Sequence, residues 1–252
     1  KPFEQLQLEQ VPNPVIGPRQ VRVRTQAAGV SFATSLVVEG KYQRKPPRPF
    51  APGTEVAGIV TEIGSEVTRF KPGDRVCSVL DWGGLAAFTW PHLLQVKRGD
   101  WVLVHGAAGG VGIAAVEIGK ILGATIIATA SSDEKLELVK AHGADHTINY
   151  RHENFRDRVL EITNGRGVDA VYDPVGGDVF MQSLRCMAPE GRILPVGFAS
   201  GTIQQIPANI LLVKNLTVCG LNAGYYVGWS PNDVRYEYED RMRALMTLIF
   251  DW

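Results

Sequence analysis

The sequence predicts an α/β protein in which a β-rich N-terminal domain, read as a small barrel, precedes a doubly wound parallel sheet. Three observations carry this. Up to residue 84, short alternating apolar runs are broken repeatedly by proline and glycine. From Trp101 onward, strand-sized and helix-sized segments alternate. A glycine turn, Gly106-Ala107-Ala108-Gly109-Gly110-Val111-Gly112, lies at the first strand-to-helix junction of that second part.

In the first part, Val21-Arg22-Val23-Arg24 alternates as a half-buried strand does, and Val56-Ala57-Gly58-Ile59-Val60 with Val67 adds further strand-like pieces. Pro12, Pro14, Gly17-Pro18, the proline-rich 45–49, Pro52-Gly53 and Pro72-Gly73-Asp74 punctuate them, a pattern of short strands and long loops with little helix. In the second part, Trp101-Val102-Leu103-Val104-His105 is too short for a helix, whereas 113–122 has helical spacing. Residues 125–129 read as a strand and 133–142 as a helix, for which Ser131 and Glu134 offer a capping box and Gly143 a stop. The alternation continues through 146–150 (strand), 155–162 (helix), 168–172 (strand), 179–187 (helix), 192–196 and 216–219 (strands). This βαβ rhythm calls for a parallel sheet covered on both faces. The domains are expected at 1–84, 85–224 and 225–252. Two seams look incomplete: the abrupt join at Gly84-Leu85, and the stop at Phe250-Asp251-Trp252 within a helix starting near Glu237.

Composition narrows the function classes. With 45% hydrophobic and 21% charged residues, the chain of 252 residues has the make-up of a folded globular protein and is long enough for two domains. Lysine plus arginine equals aspartate plus glutamate at 26 each, so no net field favours nucleic acid or an anionic membrane as partner. Cys77, Cys186 and Cys219 are far apart and odd in number, which fits buried thiols in a reducing, cytoplasmic setting better than disulfides. No apolar stretch reaches the ~20 residues of a membrane span. No signal peptide is visible, although the chain begins at Lys1, which leaves a removed targeting segment open.

The glycine turn is read as a dinucleotide site. Gly109 lets the backbone approach a diphosphate, Gly112 lets the helix pack on the strand, and the N–H groups of Ala108, Gly109, Gly110 and Val111 lie near the positive end of the helix dipole. Ala107 replaces the first glycine of the usual G-x-G-x-x-G. An NAD site places an acid at the end of the second strand, about 20 residues on. Here Ala130 stands in that place, followed by Ser131 and Ser132, with Lys135 beyond. A 2′-phosphate would meet no repulsion, so NADPH is expected rather than NADH. Lys135 reads equally well as a solvated helix charge.

Several blocks in fixed order resemble one family: Gly29-Val30-Ser31-Phe32-Ala33, Gly40-Lys41-Tyr42-Gln43, Pro52-Gly53-Thr54-Glu55-Val56-Ala57-Gly58, Lys71-Pro72-Gly73-Asp74-Arg75-Val76, the glycine turn, 145–150, Tyr172-Asp173-Pro174-Val175-Gly176-Gly177, and 191–197 leading into Phe198. Together they are similar to the medium-chain dehydrogenase/reductase superfamily, in its zinc-free NADPH:quinone oxidoreductase (zeta-crystallin-like) branch. The resemblance implies a GroES-like barrel, a Rossmann domain, and nicotinamide and substrate held in a cleft between them. It assigns the 2′-phosphate to Ser131, Lys135 and the Tyr150 hydroxyl, and the nicotinamide end to Val175, Gly197 and Phe198. Tyr150 is open to a second reading, as an aromatic closing a strand end. Members normally carry several tens of residues more at the equivalent of the Gly84-Leu85 join.

Zinc-dependent relatives hold their metal with a cysteine and a histidine where this chain has Ser31 and Thr54, and a hydroxyl is a poor zinc ligand, so no metal is expected. A substrate that accepts hydride without a Lewis acid is then required, which points to quinones and α,β-unsaturated carbonyls. Tyr42 and Ser31 are the candidates to hydrogen-bond the substrate oxygen, with plain packing the other reading of Tyr42. Two rivals stay open: a 2-enoyl thioester reductase, and a non-catalytic NADPH-binding protein of crystallin-like or RNA-binding type. A homodimer is expected through the sheet edge at 216–221.

Overall fold

A computed structural model describes residues 6, 12–13, 15–42, 45–46, 50–79, 94–227 and 235–250. The expected seams at 84/85 and at the C-terminal residues 251–252 lie outside them. The chain divides into two compact units, Lys1–Gly84 with Val227–Arg235, and Leu85–Tyr226 with Tyr236–Trp252.

In the first unit, β1 (Val21–Gly29), β2 (Glu55–Ile63) and β3 (Arg75–Val79) form an antiparallel sheet in that order. Gly58 permits the approach of β1 and β2: a Cβ there would stand 2.9 Å from Val23 Cγ1 and against the Arg24 carbonyl. The strands run further than the alternating runs suggest, because the polar members of β1 face solvent and still pair. A clear addition is α1 (Phe32–Glu39), in a region where the proline and glycine pattern led us to expect little helix. Ser31 takes the extended N-cap conformation, and its N–H donates to Thr34 Oγ1 at 3.4 Å. Gly40, at φ 73°, ends the helix in the left-handed conformation that glycine adopts without strain. Thr34, Val37 and Val38 form its buried face.

The second unit holds a six-stranded parallel sheet built from β4 (Trp101–Val104), β5 (Thr125–Ala130), β6 (His146–Asn149), β7 (Val168–Asp173), β8 (Met187–Pro195) and β9 (Thr217–Val218), in the order β6-β5-β4-β7-β8-β9. The helices are α2 (Gly110–Ile121), α3 (Asp133–Ala141), α4 (Phe155–Ile162), α5 (Gly177–Ser183), α6 (Ala208–Lys214) and α7 (Glu239–Phe250). Val102, Val104, Ile126, Ala128 and Tyr172 belong to one core, while Leu103, Ile127, Ile148 and Val171 belong to the other. Consecutive strand residues therefore feed opposite faces, which is why these strands are apolar throughout. Strand order reverses between β4 and β7, and ligands of such sheets bind beyond the carboxyl ends of the strands at that point.

Two boundaries differ from expectation. The helix expected over 179–187 stops at Ser183, and β8 begins at Met187. Lys214 Nζ reaches back from α6 to donate to the carbonyls of Leu184 (3.2 Å), Arg185 (3.4 Å) and Met187 (2.6 Å), so a residue remote in sequence satisfies the end of α5. Likewise α3 is capped by Ser132, which accepts from the Lys135 N–H, and not by Ser131.

Just past β4, His105 is buried and joins three elements. Its Nδ1 lies 3.0 Å from Thr129 Oγ1 and its Nε2 lies 2.8 Å from Ser183 Oγ. Ser183 Oγ donates to the Val179 carbonyl, so it accepts from Nε2–H, and Nδ1 accepts from Thr129. Burial lowers the His105 pKa to about 3. Between that value and the ~6.5 of an unfolded histidine, only the unfolded chain takes up the proton. The contribution is full above about pH 6.5 and is lost progressively as pH falls. Acidification from about pH 6.5 to about pH 5 is expected to cost about 2 kcal/mol through this residue. Urea unfolding of wild type and His105→Gln across that range checks it: equal slopes would refute the assignment.

Candidate cofactor site

The glycine turn occupies the switch point. Gly106 (φ 55°) turns the chain out of β4, and Gly109 N–H closes the turn on the Gly106 carbonyl at 3.0 Å. The three later glycines differ in what surrounds them. At Gly112 a Cβ would stand 2.6 Å from Ala107 Cα and 2.7 Å from the Ala107 carbonyl oxygen, so this glycine seats α2 against the turn. At Gly109 a Cβ would lie 3.3 Å from the Gly106 carbonyl, while at Gly110 it would meet nothing within 4 Å. The open side of the turn is therefore at Gly110. Gly109, the N-cap, has no side chain to accept from the first-turn N–H groups. Those donors, with Val111 and Ala108 half-buried beside them, suit a diphosphate.

The predicted 2′-phosphate residues are brought together at the carboxyl ends of β5 and β6. Lys135 Nζ lies 3.4 Å from Ser131 Oγ, and the Tyr150 N–H donates to the Ala130 carbonyl at 3.2 Å. Ala130, the last residue of β5, is buried and presents no acid. Tyr150 is half exposed, at 49%, so its ring is available to a ligand.

The predicted nicotinamide residues also converge. A Cβ on Gly106 would lie 3.9 Å from Val175 Cγ2, which puts the turn after β7 beside the glycine turn. The turns after β7 and β8 run side by side: Ala199 N–H donates to the Pro174 carbonyl (3.1 Å) and Ser200 N–H to the Val175 carbonyl (2.9 Å). Gly197 and Phe198 sit in this pair, and Phe198 is 40% exposed. Gly176 is at φ 73°, and a Cβ there would stand 2.9 Å from Phe198 Cδ1.

Two residues that sequence reasoning passed over organise these loops. Asp173, buried at the end of β7, accepts at Oδ1 from the N–H groups of Val175 (2.8 Å) and Gly176 (3.1 Å). Burial raises its pKa, against the lowering effect of those two bonds. Its Oδ2 is buried with no hydrogen-bond partner among the described residues. Asn149, at the end of β6, is bonded to Asp133. A buried carboxylate closing a mostly apolar strand, as Asp173 closes β7, was the available signal.

In the first unit, Ser31 and Tyr42 stand at opposite ends of α1 and are not one cluster. Ser31 is exposed at the N-cap, and Tyr42 follows the C-cap with its N–H on the Leu36 carbonyl at 3.1 Å. Partial burial raises the Tyr42 pKa, so its hydroxyl is a donor at neutral pH. Thr54, where zinc-dependent relatives have histidine, is buried.

The family described as zinc-binding dehydrogenase matches residues 110–244, and the alcohol dehydrogenase GroES-like domain matches residues 17–89. A quinone oxidoreductase-like protein 2 homolog of Nematostella vectensis is 42% identical over 254 residues, spanning 87% of this chain and 69% of that protein. A 2-haloacrylate reductase of Burkholderia sp is 37% identical over 229 residues, spanning 75% of this chain and 68% of that one. The crystal structure of Escherichia coli quinone oxidoreductase complexed with NADPH superposes with a TM-score of 0.76 at 31% identity, covering 95% of this chain and 82% of that one.

Proposed function

Because the chain belongs to the quinone-oxidoreductase branch of the medium-chain dehydrogenase/reductase superfamily, we propose that it is an NADPH-dependent oxidoreductase that reduces quinones or α,β-unsaturated carbonyls without a metal. The observation that carries this reading is the uncapped, open helix start at Gly110, flanked by Ser131 and Lys135 at one end and by the Val175 turn at the other. NADPH, when bound, supplies the hydride. The chain's own part is positional. Ala108, Gly109, Gly110 and Val111 hold the diphosphate on N–H groups. Ser131, Lys135 and Tyr150 receive the 2′-phosphate. Val175, Gly197 and Phe198 shape the nicotinamide end, where the Asp173 bonds keep the backbone rigid.

Tyr42 is the proposed donor to the substrate oxygen, where negative charge develops on reduction, and Ser31, at the other end of α1, is the alternative donor. Support for conjugated acceptors comes from the names of the relatives, which span a quinone and a haloacrylate. The test is loss of reduced-nicotinamide absorbance with a panel of quinones, enals and enones. Turnover with NADPH is expected for part of the panel and is reduced in Tyr42→Phe. Absence of NADPH consumption with every acceptor would end the proposal.

The same reading includes a homodimer. Two-residue β9 closes one edge of the sheet, and α6 beside it leaves Leu212 77% and Val213 76% exposed. Sedimentation at twice the 27.5 kDa chain mass is the expected result; a monomer at micromolar concentration contradicts it.

A further inference from the structure

The first carboxylate in sequence after the vacant acid position at the end of β5 belongs to Asp133, the first residue of α3. It lies between Ser131 and Lys135 in sequence, where a free negative charge would oppose a 2′-phosphate and favour a ribose hydroxyl. The structure gives this carboxylate a partner. Asn149 Nδ2 donates to Asp133 Oδ1 at 2.7 Å. At its other end Asn149 Oδ1 accepts from the Arg151 N–H at 3.2 Å, which fixes the amide so that its NH2 group is the one facing Asp133. Asn149 is itself buried, at 5% exposure, so its side chain has little freedom to turn. Lys135 Nζ meanwhile meets Ser131 Oγ.

We propose that Asn149 is a specificity-determining positioning residue, which holds the Asp133 carboxylate toward the end of β6 and so keeps the Ser131–Lys135–Tyr150 site open to a 2′-phosphate. The inference rests on the NADPH reading above. Without the amide donor, Asp133 is released to rotate into the site, to compete for Lys135 and to accept from a ribose hydroxyl. Asn149 touches no cofactor atom in this scheme; it acts through Asp133.

The test titrates NADPH, NADH and 2′,5′-ADP into wild type, Asn149→Ala, Asn149→Asp, and each variant combined with Asp133→Ala, with urea unfolding run in parallel. Asn149→Asp keeps the size of the side chain and its bond from Arg151, so it serves if the alanine variant does not fold. The expected result is an NADPH Kd raised about tenfold in either single variant, the scale of one charge-assisted hydrogen bond. The 2′,5′-ADP Kd rises in parallel, and the NADH Kd is unchanged or lower. Adding Asp133→Ala to Asn149→Ala returns NADPH binding to within about twofold of wild type. A folded single variant with an unaltered NADPH-to-NADH ratio overturns the inference, as does an Asn149→Ala/Asp133→Ala double variant that stays weak. Wild type that binds neither nucleotide would remove the underlying reading as well, and that arm separates the two failures.

Discussion

Gly112→Ala is expected to unfold far more easily than wild type, while Gly110→Ala, two residues away in the same turn, keeps full stability and loses cofactor affinity. The contrast follows from what a single methyl group meets. At position 112 it would press on the Gly106 carbonyl and lie 2.6 Å from Ala107 Cα and 2.7 Å from the Ala107 carbonyl oxygen, all main-chain atoms at the end of β4. Flexible side chains can move aside; this turn is pinned by the Ala107 N–H on the Thr129 carbonyl at 3.1 Å and by Gly109 N–H on Gly106. Relief would have to shift α2 off the sheet and open the core at Ala115 and Val116. Overpacking of this kind is expected to cost about 3 kcal/mol or more, lowering the midpoint by roughly 10 °C. At position 110 nothing lies within 4 Å, and alanine is a better first-turn helix residue than glycine. On the proposed reading, that methyl takes up only the open space assigned to the diphosphate. Thermal unfolding and an NADPH titration on both variants decide the matter, and a Gly112→Ala protein that melts with wild type would show the packing argument to be wrong.

The parallel sheet was legible because its signal is local and repeated. Val102-Leu103-Val104 and Ile126-Ile127-Ala128 are apolar at every position, which only a strand covered on both faces requires. The glycine turn was legible for the same reason, since its demands fall within seven consecutive residues. What escaped depends on partners distant in sequence. α5 ends at Ser183 because Lys214, some thirty residues on, takes the exposed carbonyls, and no window of sequence contains both. α1 was masked by its setting among prolines, although Ser31 and Gly40 are ordinary cap residues. Ser131 and Ser132 are chemically equivalent as caps. The structure gives that role to Ser132 and leaves Ser131 to meet Lys135, the pair that the resemblance assigns to the 2′-phosphate. Asn149 and Asp133 are sixteen residues apart on different elements, and their bond appears only when β6 lies beside β5.

Lys135→Glu is expected to raise the NADPH Kd about a hundredfold and to leave the NADH Kd within about twofold of wild type. The two nucleotides differ only by the 2′-phosphate, which carries between one and a half and two negative charges at neutral pH, on the scale of other phosphate monoesters. Lys135 offers it a charged donor, and Ser131 Oγ, 3.4 Å from Nζ, offers a neutral one beside it. The substitution removes the attraction and adds a repulsion, whereas Ser131→Ala removes one neutral bond and should weaken NADPH only about fivefold. Because Lys135 is exposed on the first turn of α3, the interaction is screened: wild-type NADPH affinity should fall with added salt, and that of Lys135→Glu should rise or stay level. The salt dependence separates this role from a structural one. Loss of the Lys135 side chain by misfolding would weaken NADH as much as NADPH and would not invert the response to salt. Affinities for both nucleotides that stay at the wild-type values would instead assign Lys135 to the solvated helix surface, and the preference for NADPH would then have to come from Ser131, Tyr150 and the bare end of β5 at Ala130.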